Sequence, residues 1–287
     1  MKKTRSLRRA ALIILAALIL AFSLSFAIAE SAPDAEVTAA PTPKPTLFQT
    51  IGKNMGFILT AFAISAGIAL AAYLVQRFLL KGRIRKLDRT RKITYTALFS
   101  SMAGVLMLLE FPLFFAPFFY KLDVSEIPVM ICAFFMGPVY GVIAEFIKVV
   151  IHAILKGTST AFVGDFANFI IGCSFVLPAS IIYHYKPGRN TALIGLTAGT
   201  LCMTVFGSAF NAFYLIPKFA DLLMPMEQII AFGTAVNKHI TSVGSLVMWA
   251  VVPFNLVKGI IVSLVTFFIY KPISQALKME FHKKKTM

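Results

Sequence analysis

The sequence predicts an all-α integral membrane protein, a six-helix core preceded by a signal peptide or anchor and one extra transmembrane helix. Three observations carry that reading. The 287 residues are 58% hydrophobic and only 14% charged, with a mean hydropathy of +0.81. Such a chain has too little polar surface to cover its apolar residues in water, so membrane lipid is the expected surrounding. The apolar residues fall into long runs. The bases cluster at the ends of those runs, in "MKKTRSLRR" (1–9), "RFLLKGRIRKLDRTRK" (77–92), "YKPGR" (185–189) and the tail from Lys271 to Lys285, where topology-setting charges sit. The formal charge of +16 therefore reads as orientation in a bilayer. Basic patches alone are a weak nucleic-acid footprint, and no nucleic-acid partner is expected.

Residues 1–29 combine a basic start, the apolar "AALIILAALILAFSLSF" and the small residues "AIA". That is a signal peptide or, because the apolar part is long, an uncleaved signal anchor. Residues 30–50, "ESAPDAEVTAAPTPKPTLFQT", read as an extracytoplasmic Pro/Ala/Thr-rich linker with little to bury. Residues 51–91 hold the extra transmembrane helix, at about 54–78, and a basic cytoplasmic linker. The core, 92–275, divides into apolar segments at about 93–111, 123–137, 138–156, 163–185, 191–216 and 243–270, and a basic cytoplasmic tail follows at 276–287. The Gly137-Pro138 step makes a tight turn between the second and third segments. Six passes that start inside end inside, so both core termini are expected in the cytoplasm. The loops 112–122, 157–162 and 217–242 then face outward. Of the twelve acids, only Asp88 and Glu280 fall in the cytoplasmic segments.

Catalytic motifs are absent. There is no GxxxxGKS/T phosphate loop, no HExxH and no GxSxG elbow, so neither ATP hydrolysis nor another enzymatic activity is expected. Cys132, Cys173 and Cys202 lack metal or redox spacing and read as small buried hydrophobes. The four scattered histidines read as packed or interfacial residues, and no metal site is expected.

What remains is a set of polar residues within apolar segments. Glu145, Lys148 and His152 share one helical face, as an internal ion pair or as substrate contacts. Asp165 and Asn168 stand one turn apart in "GDFANFIIG", Asn211 lies in "SAFNAFYLIP", and Asn255 and Lys258 lie three apart in "VVPFNLVKGIIVS". A lysine at the centre of a spanning helix costs roughly 2.5–3.5 kcal/mol. That cost requires a protein partner, a route to the headgroups or a ligand. The outward loop "FPLFFAPFFYKLD" (111–123) is strongly aromatic, either as an interfacial belt or as a lid that stacks on a flat ligand. Polar groups at the outer half of a bundle, with apolar walls and an aromatic cap, make a small-molecule pocket.

"EFPLFFAPFFYKLDVSEIPVMICAFFMGPVYGVIAEFIKVVIH", "GDFANFIIGCSFVLPASIIY", "GTLCMTVFGSAFNAFYLIP" and "VVPFNLVKGIIVSLVTFFIYK" resemble the riboflavin-specific S components of energy-coupling factor (ECF) transporters, the RibU family. The resemblance spans roughly 92–275. It implies a six-helix S-component core that captures riboflavin at the outer face. It also implies partners, a transmembrane coupling subunit and two ABC-type ATPases, which use the ATP. No cofactor of its own is implied; riboflavin is the transported ligand. By position, Asn211 and Lys258 match the side chains that bond the flavin. Gly164 and Asp165 fall where the fourth helix approaches the ligand, and Lys121 and Leu122 match the first loop; Asn168 and Asn255 stand beside them. Asp165 departs from the uncharged residue that the resemblance implies, and would either favour ribityl hydroxyls or point away. If Lys258 served structure alone, Glu145 or Asp165 would be its partner. Ala97 and Ser101 in "TALFSSMAG" have the spacing of a helix-docking face. The resemblance assigns that face to the coupling subunit, and internal packing is the other reading. An S component for another vitamin or a flavin analogue, or a solitary vitamin transporter, is the alternative.

Overall fold

The computed structural model describes residues 55–158, 160 and 162–283. The expected signal or anchor and the Pro/Ala/Thr-rich linker lie outside them, as does the end of the tail. The chain forms α1 (Met55–Phe78), α2 (Arg89–Leu108), the short strands β1 (Phe111–Pro112) and β2 (Lys121–Leu122), α3 (Glu126–Met136), α4 (Pro138–Lys156) and α5 (Val163–Tyr185). Next come α6 (Arg189–Leu222), α7 (Met226–Val236), and α8, which starts at Val243 and continues as Val252–Lys283.

Helices α1, α4, α5, α6 and α8 are each long and apolar enough to cross a membrane, so the protein is an all-α multi-pass membrane protein. Helix α3 has 11 residues, all of them buried. At 1.5 Å per residue it spans about 16 Å, half of a bilayer core. It is surrounded by protein, and the β1–β2 hairpin, paired Phe111 with Leu122 and Pro112 with Lys121, carries the chain the rest of the way from α2. Irregular backbone at such a place is tolerated because it is enclosed or lines a cavity.

The helices share two ends. At the basic end, Gln76 accepts a hydrogen bond from the Val139 backbone at 3.3 Å, and the Arg83 guanidinium lies 4.0 Å over the Tyr185 ring. At the opposite end, Lys156 at the close of α4 pairs with Glu110 just after α2. Helix α1 buries Ile64, Ile68, Ala72 and Val75, one stripe at helical spacing, and the first three join a cluster with Val142 of α4 and Phe169 of α5.

The segment 217–242, expected as an outward loop, is largely helical: α6 continues to Leu222 and α7 follows. Its apolar residues explain this. Ile229 and Gly233 are buried, and a methyl on Gly233 would meet Ile240 and Leu246 at 2.7 and 2.9 Å. The small residues of α2 divide between two faces. Ala103 and Gly104 are buried inside the bundle, whereas Ala97 and Ser101 are exposed beside Leu98, Met102 and Val105.

Helices α5 and α6 approach through Gly195 and Gly199, a GxxxG pair. A Cβ at either position would stand 2.6 Å from a backbone oxygen of α5, that of Ala179 or Phe175. Gly199→Val is therefore expected to destabilise the bundle by about 1–3 kcal/mol through overpacking, read as a lower melting temperature of the detergent-purified protein. An unchanged melting temperature would show that α5 and α6 do not pack this way.

Candidate functional site: a cavity at the end opposite the basic cluster

A cavity of about 410 Å³ opens at the end away from the basic cluster, within the size range of small-molecule sites. The hairpin contributes Phe118, Phe119, Tyr120 and Lys121, and α5 contributes Gly164, Asp165 and Asn168 at its first turns. Asn211 of α6 and Phe254, Asn255 and Lys258 of α8 close the other side, and His152 and Lys156 of α4 complete the wall. Leu122 does not line it. The strand alternation that exposes Lys121 turns Leu122 inward, 2% exposed, into the cluster with Tyr120, Ile216 and Phe254.

Two π turns aim the amide side chains. One spans Asn211–Leu215 and the other, Val247–Val251, precedes Asn255; such turns recur at functional sites. Asn211 donates to the Gly207 carbonyl at 2.8 Å and accepts from the Tyr120 hydroxyl at 2.9 Å. Asn255 is buried, and its amide nitrogen has no partner among the described residues.

Lys258 pairs with neither Glu145 nor Asp165, the partners a purely structural role would have given it. Its ammonium meets Asp123 at 2.9 Å and Glu126 at 3.1 Å. The same Glu126 oxygen lies 3.3 Å from Lys148. Lys148 also pairs with Glu145, as the sequence spacing predicts, and donates to Asn168 at 3.3 Å. Ser125 donates its backbone N–H to Asp123 at 2.9 Å and its hydroxyl to the Asp123 carboxylate. Asp165 instead faces His152, Nδ1 to Oδ1, at 3.2 Å. At the rim, Glu110 is shared by Lys121, at 2.8 Å, and Lys156. Burial raises the Glu110 carboxyl, and the two lysines outweigh it, holding the group below the ordinary carboxylate range.

Sequence reading missed Asp123, Glu126 and Tyr120. Their signal was an acidic pair three apart at the start of an apolar helix; the lysine they hold is 135 residues further on. A second, smaller cavity of about 290 Å³ lies between α1, α4 and α5. Its walls are phenylalanine and aliphatic side chains, with Ser65 and Asp165 as the polar residues, and it lacks a set of groups to orient a solute. Among the described residues no cluster of His, Cys, Asp and Glu could hold a metal ion.

A multi-helix membrane bundle with a polar-walled cavity at its mouth has the build of a solute-binding membrane subunit. The chain belongs to the family of ECF transporter substrate-specific components, whose profile matches residues 91–270. It is 31% identical over 202 residues to the riboflavin transporter RibU of Staphylococcus aureus (strain TCH60), covering 68% of this chain and 97% of that one. It is 32% identical over 179 residues to the riboflavin transporter FmnP of Bacillus subtilis (strain 168), covering 62% and 88%. Among solved structures it resembles one described as the S component of a bacterial ECF transporter, with a TM-score of 0.53 and 29% identity over 67% of this chain and 99% of that one. These relatives are transporters, and the chain is not an enzyme. Helix α1 precedes the matched region.

Glu126 bridges two buried lysines, so removing it leaves both with reduced compensation. Glu126→Ala is expected to cost about 3–5 kcal/mol of stability, the usual cost of breaking a buried ion pair from one side. Thermal unfolding in detergent checks this, and a shift within error would mean that the lysines find other partners.

Proposed function

We propose that this chain is the riboflavin-binding, substrate-specificity subunit of an ECF-type importer. It captures the vitamin from the outer side for uptake driven by a transmembrane coupling subunit and two ABC-type ATPases. The observation that carries this reading is the convergence of Asn211, Asn255 and Lys258 with the aromatic hairpin on one cavity, in a chain whose relatives are riboflavin transporters. Isoalloxazine is flat and largely apolar, with hydrogen-bond donors and acceptors along one edge. Aromatic walls suit its faces, and amide and ammonium groups suit that edge. Lys258 still has a third N–H after Asp123 and Glu126 are served, and Asn255 has its unpartnered amide nitrogen. Gly164, Asn168 and Lys121 line the same space and contribute to the ligand's remaining surface. Leu122 packs behind the hairpin and shapes it.

The basic clusters mark the cytoplasmic end by the positive-inside rule, which puts the cavity mouth outside and the core termini in the cytoplasm. The exposed α2 face with Ala97 and Ser101 is the surface for the coupling subunit, since small residues let a partner helix approach closely. Helix α1 packs on α4 and α5 and leaves that face open.

Titrating riboflavin against the purified full chain tests the site. Asn211→Ala and Lys258→Ala are each expected to weaken binding about tenfold or more, the loss of a charge-assisted or fully buried hydrogen bond. Unchanged affinity in both would reject the assignment. Ala97→Trp is expected to abolish co-purification with the coupling subunit and ATPases while riboflavin still binds; intact co-purification would place docking elsewhere.

A further inference from the structure

We propose that Asp165 sets ligand specificity: its carboxylate accepts hydrogen bonds from a hydroxyl-bearing tail and disfavours a tail ending in phosphate. The inference rests on the flavin reading above and concerns the part of the ligand beyond the ring. The cavity has two polar poles. One holds Asn211, Asn255 and Lys258, which serve the ring edge. The other is the α4–α5 corner, where Asp165, Thr158 and Thr160 line the wall. A ligand whose ring occupies the first pole has its tail left for the second.

Four features of that corner select against an anion. First, Asp165 is 8% exposed, and one of its oxygens is held by His152 Nδ1 at 3.2 Å. Its other oxygen has no partner among the described residues, and a carboxylate oxygen only accepts. Second, the N-terminus of α5, which would otherwise attract a phosphate, is already engaged. Asp165 itself occupies the first turn, the Gly164 N–H donates to the Thr160 hydroxyl at 3.0 Å, and the Phe162 N–H donates to the Thr158 hydroxyl at 2.8 Å.

Third, every lysine lining the cavity already pairs with a carboxylate, none of them at the Asp165 corner. Lys258 serves Asp123 and Glu126, and Lys121 and Lys156 share Glu110. Fourth, the lining residues carry four carboxylates, Glu110, Asp123, Glu126 and Asp165, against those three lysines. Lys148 and Glu145, behind the wall, pair with each other. A phosphate dianion entering this corner meets the Asp165 carboxylate, and the nearest ammoniums, those of Lys121 and Lys156, are held at the rim by Glu110, whereas a neutral polyol brings the O–H donors that the carboxylate lacks. His152 is a positioning residue: it fixes the Asp165 rotamer from α4.

The test is a comparison of riboflavin and riboflavin 5′-phosphate binding to the full-length protein in detergent. The wild type is expected to prefer riboflavin by about tenfold or more, the size of one like-charge contact in a partly screened site. Asp165→Asn keeps an acceptor and removes the charge. It is expected to weaken riboflavin modestly, strengthen the phosphate ester, and shrink the ratio by about tenfold. His152→Gln, which loosens the carboxylate, is expected to shrink the ratio less. A purely structural role for the pair would weaken both ligands together and leave the ratio unchanged, which overturns the proposal. Equal affinity of the wild type for both ligands overturns it without any variant having to fold. Should the wild type bind riboflavin, the functional reading stands whichever way the ratio falls; should it bind neither, both readings fail together.

Discussion

The bundle depends on keeping charges in an interior that lipid surrounds. Asp123, Glu126, Glu145, Lys148 and Lys258 lie at 0–7% exposure, largely stripped of the water that would otherwise solvate them. An isolated ion there would be prohibitive, and a chain of alternating partners makes it tolerable. The chain joins the hairpin junction, α3, α4 and α8, with Asn168 adding α5. Gly172 shows how tightly this is fitted: a methyl there would overlap the Glu145 carboxylate. The network thus serves as a register mark for helices whose apolar surfaces alone would pack in several ways.

That mark also locates the cavity. Lys258 is drawn toward Asp123 and Glu126, which bring the aromatic hairpin down onto α8, and the Tyr120 ring settles 5.6 Å from Phe254. The Tyr120 hydroxyl then bonds Asn211, tying the hairpin to α6. A loop of phenylalanines in water would collapse on itself. Here its anchor at Asp123 holds it over the opening, and the Glu110 pairs with Lys121 and Lys156 fasten its base to α4.

The helices were legible because their signals are local. Gly137-Pro138 ended one segment and began another, and apolar runs bounded by bases gave α4 and α5 their observed limits. The Glu145–Lys148 pair was legible for the same reason, being one turn apart on one helix. The partners of Lys258 were not, because a contact across 135 residues depends on how helices pack and leaves no mark in spacing. Leu122 and Lys121 are adjacent in sequence and looked equivalent; only strand pairing separates the one that lines the cavity from the one that packs behind it. The helical stretch after Ile216 was read as loop because Pro217 and Pro225 interrupt its apolar residues, and its burial comes from a neighbouring element.

Lys258 shows why a costly residue persists in a spanning helix. An ammonium has three donors, and two of those on Lys258 already point at carboxylates. On the proposed function, a ligand oxygen or ring nitrogen arriving at the third adds a bond without breaking the others, so the lysine is desolvated and oriented before binding begins. Ordering a flexible lysine at the moment of binding would instead cost its rotamer entropy then, about 0.5–1.5 kcal/mol for such a side chain. The same preorganisation gives the site its direction. Were the carboxylates absent, the lysine would seek the headgroups by snorkelling, and the cavity would lose both its polar pole and the anchor of its lid. The acids that sequence reading overlooked are therefore what makes an expensive buried cation tolerable there and, on the proposed function, a binding group.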